Sequence, residues 1–196
     1  MERKGVPALL APLGAQFRRA GVRIHNGGSF EGRPELLKSL SKVAEIMAED
    51  GVHTFALCDF HPRHEPWSTA QAFRAGVAAR LSERARPFLH LHFAMHDIES
   101  WLLCDRSMIA KMIGASEEKV AVNAEEIDLD NPPKAFVKRL FRAHKRPYRE
   151  TTEGIKLLSS LNIERVYRRC RYFKVFLDDI AGTFALDLAA ILNEKE

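Results

Sequence analysis

The chain has few cysteines, no long apolar run and none of the common glycine-rich phosphate loops, and each absence narrows its class. Three cysteines in 196 residues, Cys58, Cys104 and Cys170, are odd in number, scattered and set among apolar neighbours. That pattern excludes a disulfide framework and a cysteine-based zinc site, and it fits the reduced thiols of a cytoplasmic protein. No apolar run approaches the roughly 20 residues that span a bilayer. Met1-Glu2-Arg3-Lys4 is charged, with no signal-type apolar stretch behind it. A membrane is therefore not an expected partner. Neither a P-loop nor a Gly-x-Gly-x-x-Gly fingerprint occurs, and Gly27-Gly28 reads only as a turn. A serine hydrolase would lack its signature here too, because there is no Gly-x-Ser-x-Gly elbow.

What is present suffices for one good core: 46% of the residues are hydrophobic. The net charge of +4 hides an asymmetry. Between Lys134 and Lys174 there are 13 Lys or Arg and 3 Asp or Glu, whereas Ser116–Asp130 holds six acids against Lys119. A basic second half fits either a polyanionic partner, nucleic acid above all, or a solvated helical surface.

The first two-thirds alternates helical and strand periodicities. Val6, Leu9, Leu10, Leu13 and Phe17 mark one helix face. Gly21–His25 reads as a short strand, and a helix from Pro34 carries Leu36, Leu37, Leu40, Val43, Ala44 and Met47 inward. Val52–Cys58 is a β-rich run ending in Asp59. Ala70, Phe73, Val77 and Leu81 mark a third helix, and Phe88–Phe93 forms the next strand. Such alternation predicts βαβ units and a mainly parallel sheet flanked by helices, an α/β fold. From Asp97 onward the pattern is helical. Pro132-Pro133 opens a basic amphipathic helix with Phe136, Val137, Leu140 and Phe141 inward, and one long terminal helix carries Phe173 through Ile191. The expectation is an α/β domain over residues 1–115 and a helical C-terminal lobe over 116–196, with Ser116–Asp130 connecting them.

Asp59 is the first candidate for chemistry. An acid at the C-terminal end of a parallel strand faces the crevice where open α/β sheets bind ligands. There it either ligates a hard cation such as Mg²⁺ or caps the following turn. His96-Asp97-Ile98-Glu99-Ser100-Trp101-Leu102-Leu103-Cys104-Asp105 follows the His-rich strand directly. Asp97 suits a helix N-cap, and Glu99 suits either the helix macrodipole or the crevice. His90 and His92, two apart on a strand, project from one face, which serves a transition metal or a domain seam. His61 and His64 lie in the loop after Asp59. The segment Tyr167–Lys174 mixes aromatic and basic residues and fits either nucleic-acid contact or a helix with two aromatics packed inward.

Three blocks resemble a bacterial family catalogued as domain-of-unknown-function family 4276, which is related to Toprim domains. They are the strand ending in Asp59; Glu99-Ser100-Trp101-Leu102-Leu103-Cys104-Asp105, similar to a Glu-x-Trp-Leu-Leu-x-Asp signature; and Tyr148-Arg149-Glu150-Thr151 with Ile163-Glu164-Arg165-Val166 and Cys170-x-x-Phe173-x-x-Phe176. The resemblance implies a Toprim-like sheet and Mg²⁺-dependent phosphoryl transfer on nucleic acid. It also implies nuclease action beside an ABC-type ATPase, often in phage defence. It further implies Asp59 and Glu99 as catalytic residues, and Asp59, His61, Glu99 and Asp105 as metal ligands. His61 stands where the pattern has a second Asp, a change that suits a softer ion such as Mn²⁺ or Zn²⁺. The family's opening strand and its Glu are expected before residue 1, with Glu2 matching only the last acid of that turn. On the nuclease hypothesis Lys138, Arg142, Lys145 and Arg146 track the phosphate backbone. Two other hypotheses are carried: a non-catalytic module that docks on an ATPase, and a hydrolase built on His61, His64, His90 and His92.

Overall fold

The computed structural model describes residues 6–7, 9–23, 33–60, 69–123 and 131–193. The amphipathic start folds as expected: a 3₁₀ turn at Ala11–Leu13 leads into α1 (Gly14–Arg19), with Leu9, Leu10, Leu13 and Phe17 buried. The strand expected after it does not form at residues 21–23, where Gly21 at φ +73° closes a turn; residues 24 and 25 lie outside the described residues.

In α2 (Arg33–Glu49) the inward face is Leu40, Ala44 and Ala48, at i, i+4 and i+8. Met47, expected inward, surfaces instead, and the small Ala48 lets the helix sit close against Leu81 and Ala85. The side chains of Leu36 and Leu37 lie outside the described residues.

β1 (Thr54–Phe60) and β2 (Leu89–Met95) pair in parallel from Thr54↔Leu89 to Phe60↔Met95, joined through α3 (Ala70–Ala78). These two strands are the sheet among the described residues. Period-2 alternation divides the sheet's side chains between two apolar clusters. Ala56, Phe60, Leu91 and Phe93 pack with Leu40, Phe73 and Val77 from α2 and α3, while Phe55, Leu57 and Ala94 join the larger cluster on the opposite face. The protein is thus α/β, with a parallel pair flanked by helices.

The remaining elements are helical: α4 (Glu99–Cys104), α5 (Arg106–Ile113), α6 (Pro133–Ala143), α7 (Ile155–Ser159), α8 (Ile163–Arg169), α9 (Arg171–Thr183) and α10 (Leu188–Asn193). The single long terminal helix expected from the periodicity is broken. α9 stops at Thr183, Ala185 turns at φ +50°, and α10 starts anew at Leu188. α4 is wholly buried, and its Trp101 meets Phe173 of α9 edge-on at 5.0 Å. The larger cluster takes residues from Leu9 through Ile180, so the parts before and after residue 115 share one core. Cys104 and Cys170 are buried, and Cys170 Sγ accepts the Phe173 N–H at the start of α9.

Candidate functional site

The turn from β2 into α4 brings acids to the C-terminal end of both strands. His96 adopts φ +62°, a conformation unusual for a residue with a side chain. Its N–H donates to the Phe60 carbonyl at 2.9 Å, which ties this turn to the residue after Asp59. Asp59 is half-buried in the penultimate position of β1, inside the strand and not after it, and is in register with Ala94. Asp97 lies three residues beyond Ala94, at the same end of the sheet.

Asp97 and Glu99 are only 5% and 1% exposed. Asp97 does not cap its own helix, whose N-cap is Ile98. Its Oδ2 accepts the backbone N–H of Lys134 at 3.2 Å and so caps α6 from across the core. That helix starts Pro132-Pro133 and has no capping side chain of its own. Asp97 Oδ1 is buried with no hydrogen-bond partner among the described residues. Glu99 Oε1 accepts from the Tyr148 hydroxyl at 3.0 Å. Burial, and then the neighbouring Asp97 charge, push the Glu99 carboxyl up to about 7. Burial raises Asp97 to about 6 despite the opposing Lys134 N–H and ammonium. Tyr148 is raised as well, by burial and by Glu99.

Lys134 of α6 stands beside the pair, and Lys138 lies one turn further along the same helix. Lys134 and Lys138 reach Glu150 at 2.7 and 3.2 Å. Burial alone would lower the Lys134 pKa, but Glu150, Glu99 and Asp97 raise it overall. Burial opposes the ionised form of Glu150, yet both lysines hold its pKa below the usual carboxylate range. Further along, Arg142, Lys145 and Arg146 are exposed and carry no ion-pair partner among the described residues.

Asp105 is placed differently. It follows the last residue of α4, so six residues at 1.5 Å each set it roughly 9 Å along the axis from Glu99. It is fully buried. Its carboxylate accepts Asn162 N–H at 2.9 Å, Ser107 Oγ–H at 2.7 Å and the Arg165 guanidinium at 3.4 Å. The structure therefore brings Asp97, not Asp105, to Glu99. His61 and His64 lie outside the described residues. No group of three or more His, Cys, Asp or Glu among the described residues is arranged to hold a metal ion.

The strand histidines project from one face, as their spacing predicts. His90 Nδ1 and His92 Nε2 each lie 2.9 Å from the same Asp179 Oδ2, and His53 Nδ1 lies 2.9 Å from His90 Nε2. Burial holds His92 down to about 4, although Asp179 opposes this. His90, His92 and Asp179, with Arg74, line a shallow cleft of about 580 Å³ between α3 and α9. Sequence reasoning missed Asp179 and Lys134 as partners of these clusters, and it considered Asp97 only as a helix cap. Tyr148 and Glu150 did carry a signal, since their block belongs to the family resemblance.

The protein is of the α/β class, with a buried acid pair beside Lys134 at the C-terminal end of a parallel β pair, the end at which open α/β sheets commonly bind ligands. The chain belongs to a domain family of unknown function, DUF4276, whose model matches residues 2–181. No curated protein and no solved structure gives a significant match.

Proposed function

We propose that this chain is a Toprim-like, metal-dependent phosphoryl-transfer domain that cleaves nucleic acid, with a partner ABC-type ATPase and a role in phage defence. The observation that carries this reading is the buried Asp97–Glu99 pair, with one oxygen unpartnered and both acids raised. Two carboxylates are held together away from water at an energetic cost, which a divalent cation would relieve.

The donor set fits a hard cation. All the ligating atoms are oxygens, and Mg²⁺ needs only one or two carboxylates beside its waters. Asp97 and Glu99 would hold Mg²⁺ or Mn²⁺, with Asp59 at the adjoining strand end. When bound, the ion supplies charge neutralisation at a phosphoryl oxygen and a water of lowered pKa. Tyr148 orients Glu99 through its hydroxyl. Lys134 holds positive charge beside the acids, and Arg142, Lys145 and Arg146 offer cations to the phosphate backbone. Asp105 has no place in this site, because Asn162, Ser107 and Arg165 occupy its oxygens.

A second reading, a non-catalytic module docking on an ATPase, is favoured by the near-complete burial of Asp97 and Glu99. One experiment separates the two. Labelled single- and double-stranded oligonucleotides are incubated with the full chain and Mg²⁺ or Mn²⁺, alongside Asp59→Asn, Asp97→Asn and Glu99→Gln. The catalytic reading expects metal-dependent cleavage that falls at least ~100-fold in Glu99→Gln. Cleavage that is absent, or unchanged in all three variants, sinks it.

A further inference from the structure

Lys134 and Lys138 lie one turn apart on α6 and close on a single carboxylate. Lys134 Nζ meets Glu150 Oε2 at 2.7 Å, and Lys138 Nζ meets Oε1 at 3.2 Å, so each oxygen has its own ammonium. Glu150 opens a single π-helical turn, Glu150–Gly154. Such turns are rare and recur at functional sites. The same two segments adjoin the acid pair: Lys134 N–H donates to Asp97, and Tyr148, two residues before Glu150, donates to Glu99. The clamp faces water, with side chains 38%, 48% and 35% exposed.

We propose that the Lys134–Lys138 clamp is a phosphate subsite and that Glu150 fills it in the free protein as an internal competitor. Two ammoniums, one per oxygen, suit two oxygens of a phosphate as well as those of a carboxylate. An exposed ion pair is weak, so a more highly charged anion can displace it. The ligand class is a phosphomonoester or a nucleic-acid phosphate. Only the assignment to nucleic acid rests on the function proposed above; the clamp itself does not. Glu150 thereby acts as a gate: phosphate entry frees it, and its return expels the ligand. This also accounts for Lys138, a residue expected to contact nucleic acid that is instead engaged within the chain.

The test uses the full chain in EDTA, without divalent cations, and measures inorganic phosphate and a short single-stranded oligonucleotide by calorimetry. Glu150→Gln should bind both roughly tenfold more tightly, because the competent state is no longer masked. Glu164→Gln, which removes an equal charge from a different ion pair with Arg168, should change binding less than about twofold. Adding Lys134→Gln or Lys138→Gln to Glu150→Gln should abolish the gain. Equal effects of Glu150→Gln and Glu164→Gln, or a gain that survives loss of both lysines, overturn the proposal. If Glu150→Gln unfolds the chain, Glu150→Asp carries the test: the shorter acid keeps its charge but reaches the clamp poorly, and binding should still tighten. Failure of cleavage to depend on Glu99 would leave the clamp standing. Failure of the clamp would leave the Asp97–Glu99 site untouched.

Discussion

The two ends of α4 carry buried acids with opposite fates. At its start, Asp97 and Glu99 sit together with an unpartnered oxygen and carboxyls pushed towards neutrality. At its end, the equally buried Asp105 has its oxygens taken by three donors from α5, α8 and the residue before α8. Burial alone therefore does not set the state of a carboxylate. The donors that meet it do: the satisfied Asp105 joins elements, and the Asp97–Glu99 pair keeps an unpartnered oxygen among the described residues.

The largest effect should come from breaking the satisfied end. Asp105→Ala strands the Asn162 N–H, Ser107 and Arg165 around a cavity and should cost about 2–4 kcal/mol of unfolding free energy in urea titrations. A loss under about 1 kcal/mol would mean that Asp105 is not the joint between α4 and α8.

The other end should respond with the opposite sign. Glu99 rises from 4.5 to about 7 on folding. Below pH 4.5 both states keep the proton and burial of the acid carries no ionic penalty. Between pH 4.5 and about 7 the unfolded chain gives up this proton while the folded one keeps it, so stability falls across that window and levels off above it. Glu99→Gln keeps an acceptor for Tyr148 and should stabilise the chain by about 1–3 kcal/mol at pH 8, with the gain fading by pH 4. Stabilisation accompanied by loss of function is the mark of a site that trades stability for activity. If Glu99→Gln destabilises the chain at pH 8, the acid pair is structural after all.

This contrast was only half legible in the amino-acid order. The β1–β2 pairing, the common face of His90 and His92 and the inward faces of α3 and α6 follow from short-range periodicity, and they formed. The roles of the acids depend on residues far along the chain. Asp105 is satisfied by Asn162 and Arg165, which lie 57 and 60 positions away, and the histidines by Asp179, 89 and 87 positions away. Periodicity carries no such information, so Asp105 looked like part of one acidic block with Glu99. The break at Ala185 was hidden for a different reason: the left-handed turn is made by an alanine, while the nearby Gly182 lies inside α9.

A smaller change should sharpen the site without emptying it. Tyr148→Phe removes the hydroxyl that donates to Glu99 Oε1 and leaves the ring packed on Phe141 at 5.1 Å. Stability should fall by about 1 kcal/mol at neutral pH. The Glu99 carboxyl should titrate higher still, because the lost hydrogen bond favoured its ionised form. Carboxyl-carbon NMR titration reads this directly. A downward shift would mean that Tyr148 does not stabilise the carboxylate.

The smallest effect on folding, and the most telling about the partner, belongs to the far end of α6. Arg142, Lys145 and Arg146 are exposed, so changing each to Gln should leave stability within about 0.5 kcal/mol. If these cations meet phosphates, each change should weaken oligonucleotide binding about equally across sequences. Each should also reduce the slope of log affinity against log salt by about 1. Lys138 supplies the internal contrast. Its ammonium already holds Glu150, so Lys138→Gln should reduce that slope by less than the others in the native chain, and by a full unit once Glu150→Gln has freed it. Equal slopes for all four residues in both backgrounds would show that Glu150 does not compete for the clamp. Unchanged slopes throughout would mean that this basic face is a solvated surface and that the polyanion, if there is one, binds elsewhere.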